Sequence, residues 1–95
     1  MAFDCMKFRR VMTESGLTKQ ELGTLYGVSR QTLYIWQINP PGQKTLAVRA
    51  EKYTDGLVAA LDKRLLPFPE SISYVRRAEL LRSMAKRLHT LTAPQ

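Results

Sequence analysis

Cysteine and histidine are scarce in this 95-residue chain, in which Cys5 is the one cysteine and His89 the one histidine. An internal disulfide is therefore excluded, and this cysteine usage favours a reducing cytoplasm. The lone histidine lies near the C-terminus with no carboxylate or cysteine spaced around it as a metal site or a catalytic centre requires. We therefore expect no enzymatic activity, no metal and no cofactor.

Long apolar runs are also missing. No stretch approaches the ~20 apolar residues of a membrane span, and no apolar run follows Lys7, Arg9 and Arg10 as it would in a signal peptide. Acidic residues are few, because 8 Asp and Glu stand against 15 Lys and Arg, and the net charge is +7. This excess predicts a polyanionic partner, with nucleic acid favoured over a membrane surface. No pattern indicates a small-molecule ligand, and the length predicts one domain.

The most informative stretch lies in the first half of the chain. Thr18 and Glu21 have the spacing of a capping box, which predicts the start of a helix. Gly27 ends that helix, since glycine adopts positive φ without steric cost. Ser29 is a good N-cap for a second helix. The pattern predicts a helix-turn-helix over residues 18–37, with helices 19–26 and 30–37.

The second of these helices has two different faces. Leu33 and Trp36, three residues apart, predict the buried face. The opposite face carries one basic, one amide, one aromatic and one aliphatic side chain, whereas an ordinary solvated face is rich in Lys and Glu. Such a surface is typical of helices that read base edges and thymine methyl groups, and a plain solvated surface is the alternative. Its members are Arg30, Gln31, Tyr34 and Ile35.

The rest of the chain predicts only further helices. One apolar stripe passes through Gly56, so a single helix over residues 44–65 is the alternative to two shorter ones. Pro67 and Pro69 form the clearest break and separate a unit of residues 1–66 from a C-terminal helix. The expected helices are 2–15, 44–54, 57–65 and about 70–91.

Residues 7–38 resemble the Cro and lambda-repressor-like helix-turn-helix family, also called the XRE type. Two strings carry the resemblance, GLTKQEL at residues 16–22 and GVSRQTL at residues 27–33. Lys19 stands where the family usually has a Gln that contacts a phosphate, and Gly23 stands where Ala is usual.

The resemblance implies an all-α, lambda-repressor-like DNA-binding domain of four or five helices over residues 1–66. The helix at 70–91 is additional to the family pattern. It further implies a cytoplasmic regulator, in a bacterial cell or a phage-infected host, that binds a palindromic operator as a homodimer. We interpret the chain as a transcriptional regulator that acts as a repressor. A phage DNA-packaging or recombination accessory factor and an antitoxin-like protein-interaction module are the alternatives.

The recognition helix, residues 29–37, is expected to enter the major groove of double-stranded DNA with its N-terminus first. Arg30 suits guanine and Gln31 suits adenine. Tyr34 and Ile35 suit thymine methyl groups, with a phosphate contact as the alternative for Tyr34. The expected contacts to the DNA backbone come from Thr18, Lys19, Ser29, Thr32 and Lys44.

The C-terminal helix has an apolar stripe that admits two interpretations. It packs on its own chain, or it forms a dimer interface, which the proline break and the length of the stripe favour. Arg77 falls inside this stripe, which predicts that it extends to solvent or pairs with an acidic group across an interface. The basic side of the helix is expected to be solvated, with contact to the DNA backbone as the alternative. The predicted dimerisation residues are Leu81, Met84, Leu88 and Leu91.

Overall fold

A computed structural model of the chain describes residues 3–92, and the side chains of residues 3–90. Within this range the structure consists of five α-helices and has no β-strand, which confirms the expected all-α class. Helices α1 and α5 both pack on α4, so α4 is the central element. The helices are α1 (Cys5–Glu14), α2 (Lys19–Tyr26), α3 (Arg30–Trp36), α4 (Lys44–Asp62) and α5 (Tyr74–Thr92).

Helix α1 begins later than residue 2, where the apolar pattern placed its start. The carboxylate of Asp4 accepts hydrogen bonds from the backbone N–H groups of Met6 at 2.8 Å and Lys7 at 3.3 Å. Asp4 is therefore the N-cap, because its side chain satisfies donors that have no partner within the helix. Phe3 precedes the cap and is buried in the core.

Helix α4 is continuous, so the predicted break at Gly56 is wrong and the single-helix alternative is right. Its apolar stripe is buried on both sides of the glycine, at Ala50 and Tyr53 before it and at Leu57 and Leu61 after it. A glycine within a helix costs about 1 kcal/mol relative to alanine. Burial of one leucine side chain contributes roughly 1.5–3 kcal/mol. The burial of the second half of the stripe therefore outweighs the cost of the glycine.

Five aromatic side chains hold α3 against the remainder of the core. Phe8 of α1 lies 5.9 Å from Trp36 and 5.4 Å from Tyr26, measured between ring centroids, with both pairs edge to face. Phe3 and Tyr53 extend this cluster. Edge-to-face pairs are favoured by the charge distribution of the rings. Because Trp36 is fixed from several sides, the orientation of α3 about its own axis is fixed as well.

The connection from α4 to α5 passes over the turn between α1 and α2. A Cβ atom built on Gly16, whose φ is +72°, would lie 2.6 Å from the Cβ of Pro67, so this crossing requires glycine. Leu66 is buried beside it. The N-terminal end of α5 is thereby placed next to the N-terminal end of α2.

Helix α5 packs on its own chain. Leu88 is only 3% exposed and belongs to the core, and Leu81 and Met84 are partly buried against that core. The side chain of Leu91 lies outside the described residues. Tyr74, the first residue of α5, is 87% exposed. Of the two interpretations of α5, the structure therefore has the one in which the helix packs on its own chain. A dimer through this helix stays a prediction, and the buried side chain of Leu88 is not accessible to a second chain.

Candidate nucleic-acid interface

The N-terminal end of α2 has the predicted capping box. The hydroxyl of Thr18 accepts a hydrogen bond from the backbone N–H of Glu21 at 3.0 Å, and the Glu21 carboxylate accepts one from the backbone N–H of Thr18 at 2.8 Å. These reciprocal bonds fix the direction of the first turn. Thr18 and Lys19 are both exposed there, as a contact to a phosphate requires.

The turn between α2 and α3 is tight and depends on two glycines. Gly27 adopts the left-handed conformation with φ of 73° and ψ of 33°. The backbone N–H of Val28 then donates to the carbonyl oxygen of Gly23 at 2.9 Å. A Cβ built on Gly23 would lie 2.8 Å from the carbonyl oxygen of Val28, so this position is restricted by the backbone of the turn itself.

The first turn of α3 is held by two hydroxyl groups that were predicted to contact phosphates. Ser29 is the N-cap and accepts the backbone N–H of Thr32 at 3.2 Å. The two hydroxyl oxygens lie 3.0 Å apart and share a further hydrogen bond. Ser29 is exposed and Thr32 is partly buried, so Ser29 is the more accessible of the two.

The four predicted base-contacting residues lie together on the outer face of α3. Arg30 and Gln31 are exposed in its first turn, and the second turn has Tyr34 at 51% and Ile35 at 56% exposure. Leu33 and Trp36 are buried on the opposite face, as predicted. An aliphatic and an aromatic side chain half exposed beside an arginine and an amide match the functional groups that base edges present in the major groove.

Lys19 and Tyr34 join the two helices across this surface. The Lys19 ammonium lies 4.5 Å from the centroid of the Tyr34 ring, within the range of a cation–π contact. Lys19, which is predicted to contact the DNA backbone, therefore touches Tyr34, which is predicted to contact the bases. Between α2 and α3 lies an open groove of about 400 Å³ that has no acidic residue in its lining and is lined by the two basic residues Lys19 and Arg30.

Lys44, the remaining predicted backbone contact, is the exposed first residue of α4. The positive end of the helix dipole lies at this terminus, where a cation is unfavourable. The first turn of α4 contains no acidic residue to offset that charge. An anion bound at this position would relieve the repulsion.

Arg77 is the residue whose structural role the sequence did not reveal. It lies in α5 but pairs with Glu21 of the capping box, with a nitrogen–oxygen distance of 2.8 Å. The acidic partner expected across an interface is thus in the same chain. The hydrogen bonds from the Arg77 guanidinium have the largest effect on the Glu21 carboxyl and lower its pKa, and the hydrogen bond from the Thr18 backbone N–H lowers it further. Burial of the carboxyl acts in the opposite direction. The only signal in the sequence was a charged residue within an apolar stripe.

The described residues contain no group of three or more His, Cys, Asp or Glu side chains arranged to hold a metal ion. None of the helices in residues 3–92 combines the length and the apolar character that crossing a membrane requires. No protein-family model, no curated protein and no solved structure matches the chain. The inference of function therefore depends on the residues of the α2–turn–α3 surface and on their geometry.

Proposed function

We propose that the chain is a sequence-specific double-stranded DNA-binding transcriptional regulator of the lambda-repressor-like helix-turn-helix type, and that it represses by occupying an operator. The observation that carries this proposal is the outer face of α3. Arg30, Gln31, Tyr34 and Ile35 are exposed together there, while Trp36 fixes the opposite face in the core. A net charge of +7 supports a polyanionic partner.

In the proposed complex α3 lies in the major groove with its N-terminus leading. The Arg30 guanidinium donates two hydrogen bonds to a guanine, and the Gln31 amide pairs with an adenine. Ile35 contacts a thymine methyl group. Because a bidentate pair fits one base edge only, each is worth roughly 1–3 kcal/mol of discrimination.

Contacts to the DNA backbone would set the depth and the register of α3. Lys19 is a point charge at the end of α2, and its contact with the Tyr34 ring holds it beside the recognition surface. Thr18 and Ser29 supply hydroxyl groups, and Lys44 supplies a second ammonium. These groups bind phosphates of any sequence, so they contribute affinity and salt dependence but little specificity.

A homodimer on a palindromic operator completes the proposal. Two-fold symmetry would place the two copies of α3 one turn of DNA apart, ~34 Å, in successive major grooves. Such a complex denies the same stretch of DNA to RNA polymerase. The half-site spacing of the bound DNA is therefore a direct test of the dimer.

Selection of bound sequences from a random duplex pool tests the proposal, with the variant Arg30→Ala, Gln31→Ala run in parallel. We expect the wild-type chain to enrich one palindrome with half-sites separated by ~10 base pairs. The double variant should retain duplex DNA without enriching that palindrome. Absence of any duplex binding by the wild-type chain at ~50 mM salt, where phosphate contacts still hold, would refute the proposal.

A further inference from the structure

A second groove lies on the other side of α2. It has a volume of about 400 Å³ and runs between α2 and the N-terminal half of α5. Thr18, Gln20 and Thr24 line it from α2, and Tyr74, Leu81 and Arg82 line it from α5. The residues that α5 contributes to this groove are not part of the α2–α3 surface described above.

The charge in this groove is positive. Glu21 is its one acidic residue among those described, and Arg77 neutralises that carboxylate through two hydrogen bonds of 2.8 and 2.9 Å. Arg82 is exposed and forms no ion pair with any of the described residues. Its guanidinium is therefore the uncompensated charge of the groove.

The remaining polar groups of the groove are hydroxyls and one amide. Tyr74 is 87% exposed, which leaves its phenol in solvent, and Thr18, Gln20 and Thr24 are exposed opposite it. Arginine together with Thr, Gln and Tyr side chains is the set that contacts phosphate and sugar oxygens in protein–DNA complexes. The polar groups of the groove therefore suit a phosphate, while Leu25, Leu81 and Ala85 form an apolar part of its lining.

The two grooves share a wall. Gln20 and Thr24 line both the α2–α3 groove and the α2–α5 groove, so α2 separates α3 on one side from α5 on the other. A DNA strand that crosses the N-terminal end of α2 next to Lys19 is thereby led towards Arg82. This continuity favours DNA over an acidic protein as the occupant of the second groove.

The positive surface continues along α5. Lys86 lies one turn beyond Arg82, and both border a shallow depression together with His89. Glu79 is the acidic residue on that side, and it is paired with Arg76 at 3.3 Å. The outer side of α5 therefore has a net positive charge next to the groove.

We infer that α5 forms a second set of contacts to the DNA backbone, in which Arg82 binds a phosphate outside the segment read by α3, with the Tyr74 hydroxyl beside it and Lys86 farther along the strand. This inference rests on the proposed function. It assigns to the C-terminal helix an extension of the DNA-binding surface, in addition to its packing on α4. The added contacts lengthen the footprint without reading bases.

The test compares Arg82→Gln with Arg87→Gln. Both substitutions remove one positive charge from an exposed position of α5, but Arg87 borders the groove between α5 and α4 on the other side of the helix. Binding to a mixed-sequence duplex of ~40 base pairs is measured as a function of salt concentration. Loss of one phosphate contact should reduce the slope of log K against log salt by about 0.9 and weaken binding about tenfold at ~50 mM salt.

We expect this change for Arg82→Gln, a wild-type slope for Arg87→Gln and a slope close to wild type for Arg82→Lys, which retains the charge. Equal slopes for the two glutamine variants would overturn the inference while leaving the proposed function intact. If the wild-type chain binds no duplex, the proposed function fails and the inference fails with it. The Arg82→Gln variant could instead bind DNA normally and an acidic peptide more weakly than the wild-type chain does. That result would overturn the inference and identify a protein as the occupant of the groove.

Discussion

Arg77 of α5 forms an ion pair with Glu21 of α2, although the two residues are 56 positions apart in the sequence. Its Nε atom donates to Oε2 of Glu21 at 2.9 Å, and its Nη2 atom donates to Oε1 at 2.8 Å. The same Nη2 donates to the carbonyl oxygen of Gly16 at 3.1 Å. The carboxylate that caps α2 thus also pairs with α5, in addition to the packing of α5 on α4.

Glu21→Gln should destabilise the chain by about 1–2 kcal/mol, between the values of an exposed ion pair and of a hydrogen bond to a charged group. Glutamine retains an oxygen that can cap the Thr18 N–H, so the substitution removes the charge rather than the capping box. Urea unfolding provides the measurement. The control is Glu79→Gln, which removes an exposed pair with Arg76 and should change stability by less than about 0.5 kcal/mol. Equal effects of the two substitutions would contradict this prediction.

The same pair predicts a pH dependence. Because the pKa of Glu21 is lower in the folded chain than in the unfolded one, its contribution is present above the unfolded pKa of about 4.3 and is lost as the pH falls through the folded pKa. The stability difference between wild type and Glu21→Gln should therefore be constant from about pH 5 to 8 and shrink below about pH 4. Urea midpoints across this range measure it. A difference that persists undiminished under acidic conditions would show that charge is not its origin.

Leu88→Ala should cost about 2–4 kcal/mol, because it leaves a cavity in the core of the single chain. The loss should be the same at protein concentrations of about 5 and 50 µM, since a contact within one chain does not depend on association. Leu65→Ala is the matched control, because Leu65 is 52% exposed and its truncation leaves no buried cavity. A loss that varies with protein concentration would place Leu88 in a dimer interface instead.

Arg30→Ala should relax the sequence preference at one base pair in each half-site by roughly 1–3 kcal/mol. Lys19→Ala should instead weaken binding to all sequences alike and lower the salt slope by about 1. Competition between the selected duplex and single-base variants of it separates the two behaviours. If Arg30→Ala also weakened every duplex equally, Arg30 would be a phosphate contact.

The α2–turn–α3 unit could be predicted closely because the bonds that define it are local. Thr18 and Glu21 cap each other across three residues, and Ser29 caps Thr32 across the same separation. Gly27 is the residue type that the left-handed position requires. The exposure of Arg30 and its neighbours followed from the helical period once the buried face was assigned. What these residues bind stays a prediction.

Contacts between residues that are far apart in the sequence could not be predicted in this way. Whether Gly56 ends a helix depends on the core available to Leu57 and Leu61, and α1 and α5 are the helices that pack on α4. Arg77 appeared misplaced in an apolar stripe because its partner lies in another helix. The groove that contains Arg82 exists only because α5 lies beside α2.

The sequence by itself therefore determined the helical class, the caps of α2 and α3, the turn between them and the inward and outward faces of α3, since each depends on residues within about one helical turn of one another. Tertiary structure alone decided the continuity of α4, the burial of Leu88 and the junction of Arg77 with Glu21. These features are set by which surfaces meet after the chain folds back on itself. Local periodicity does not specify the partners of those surfaces.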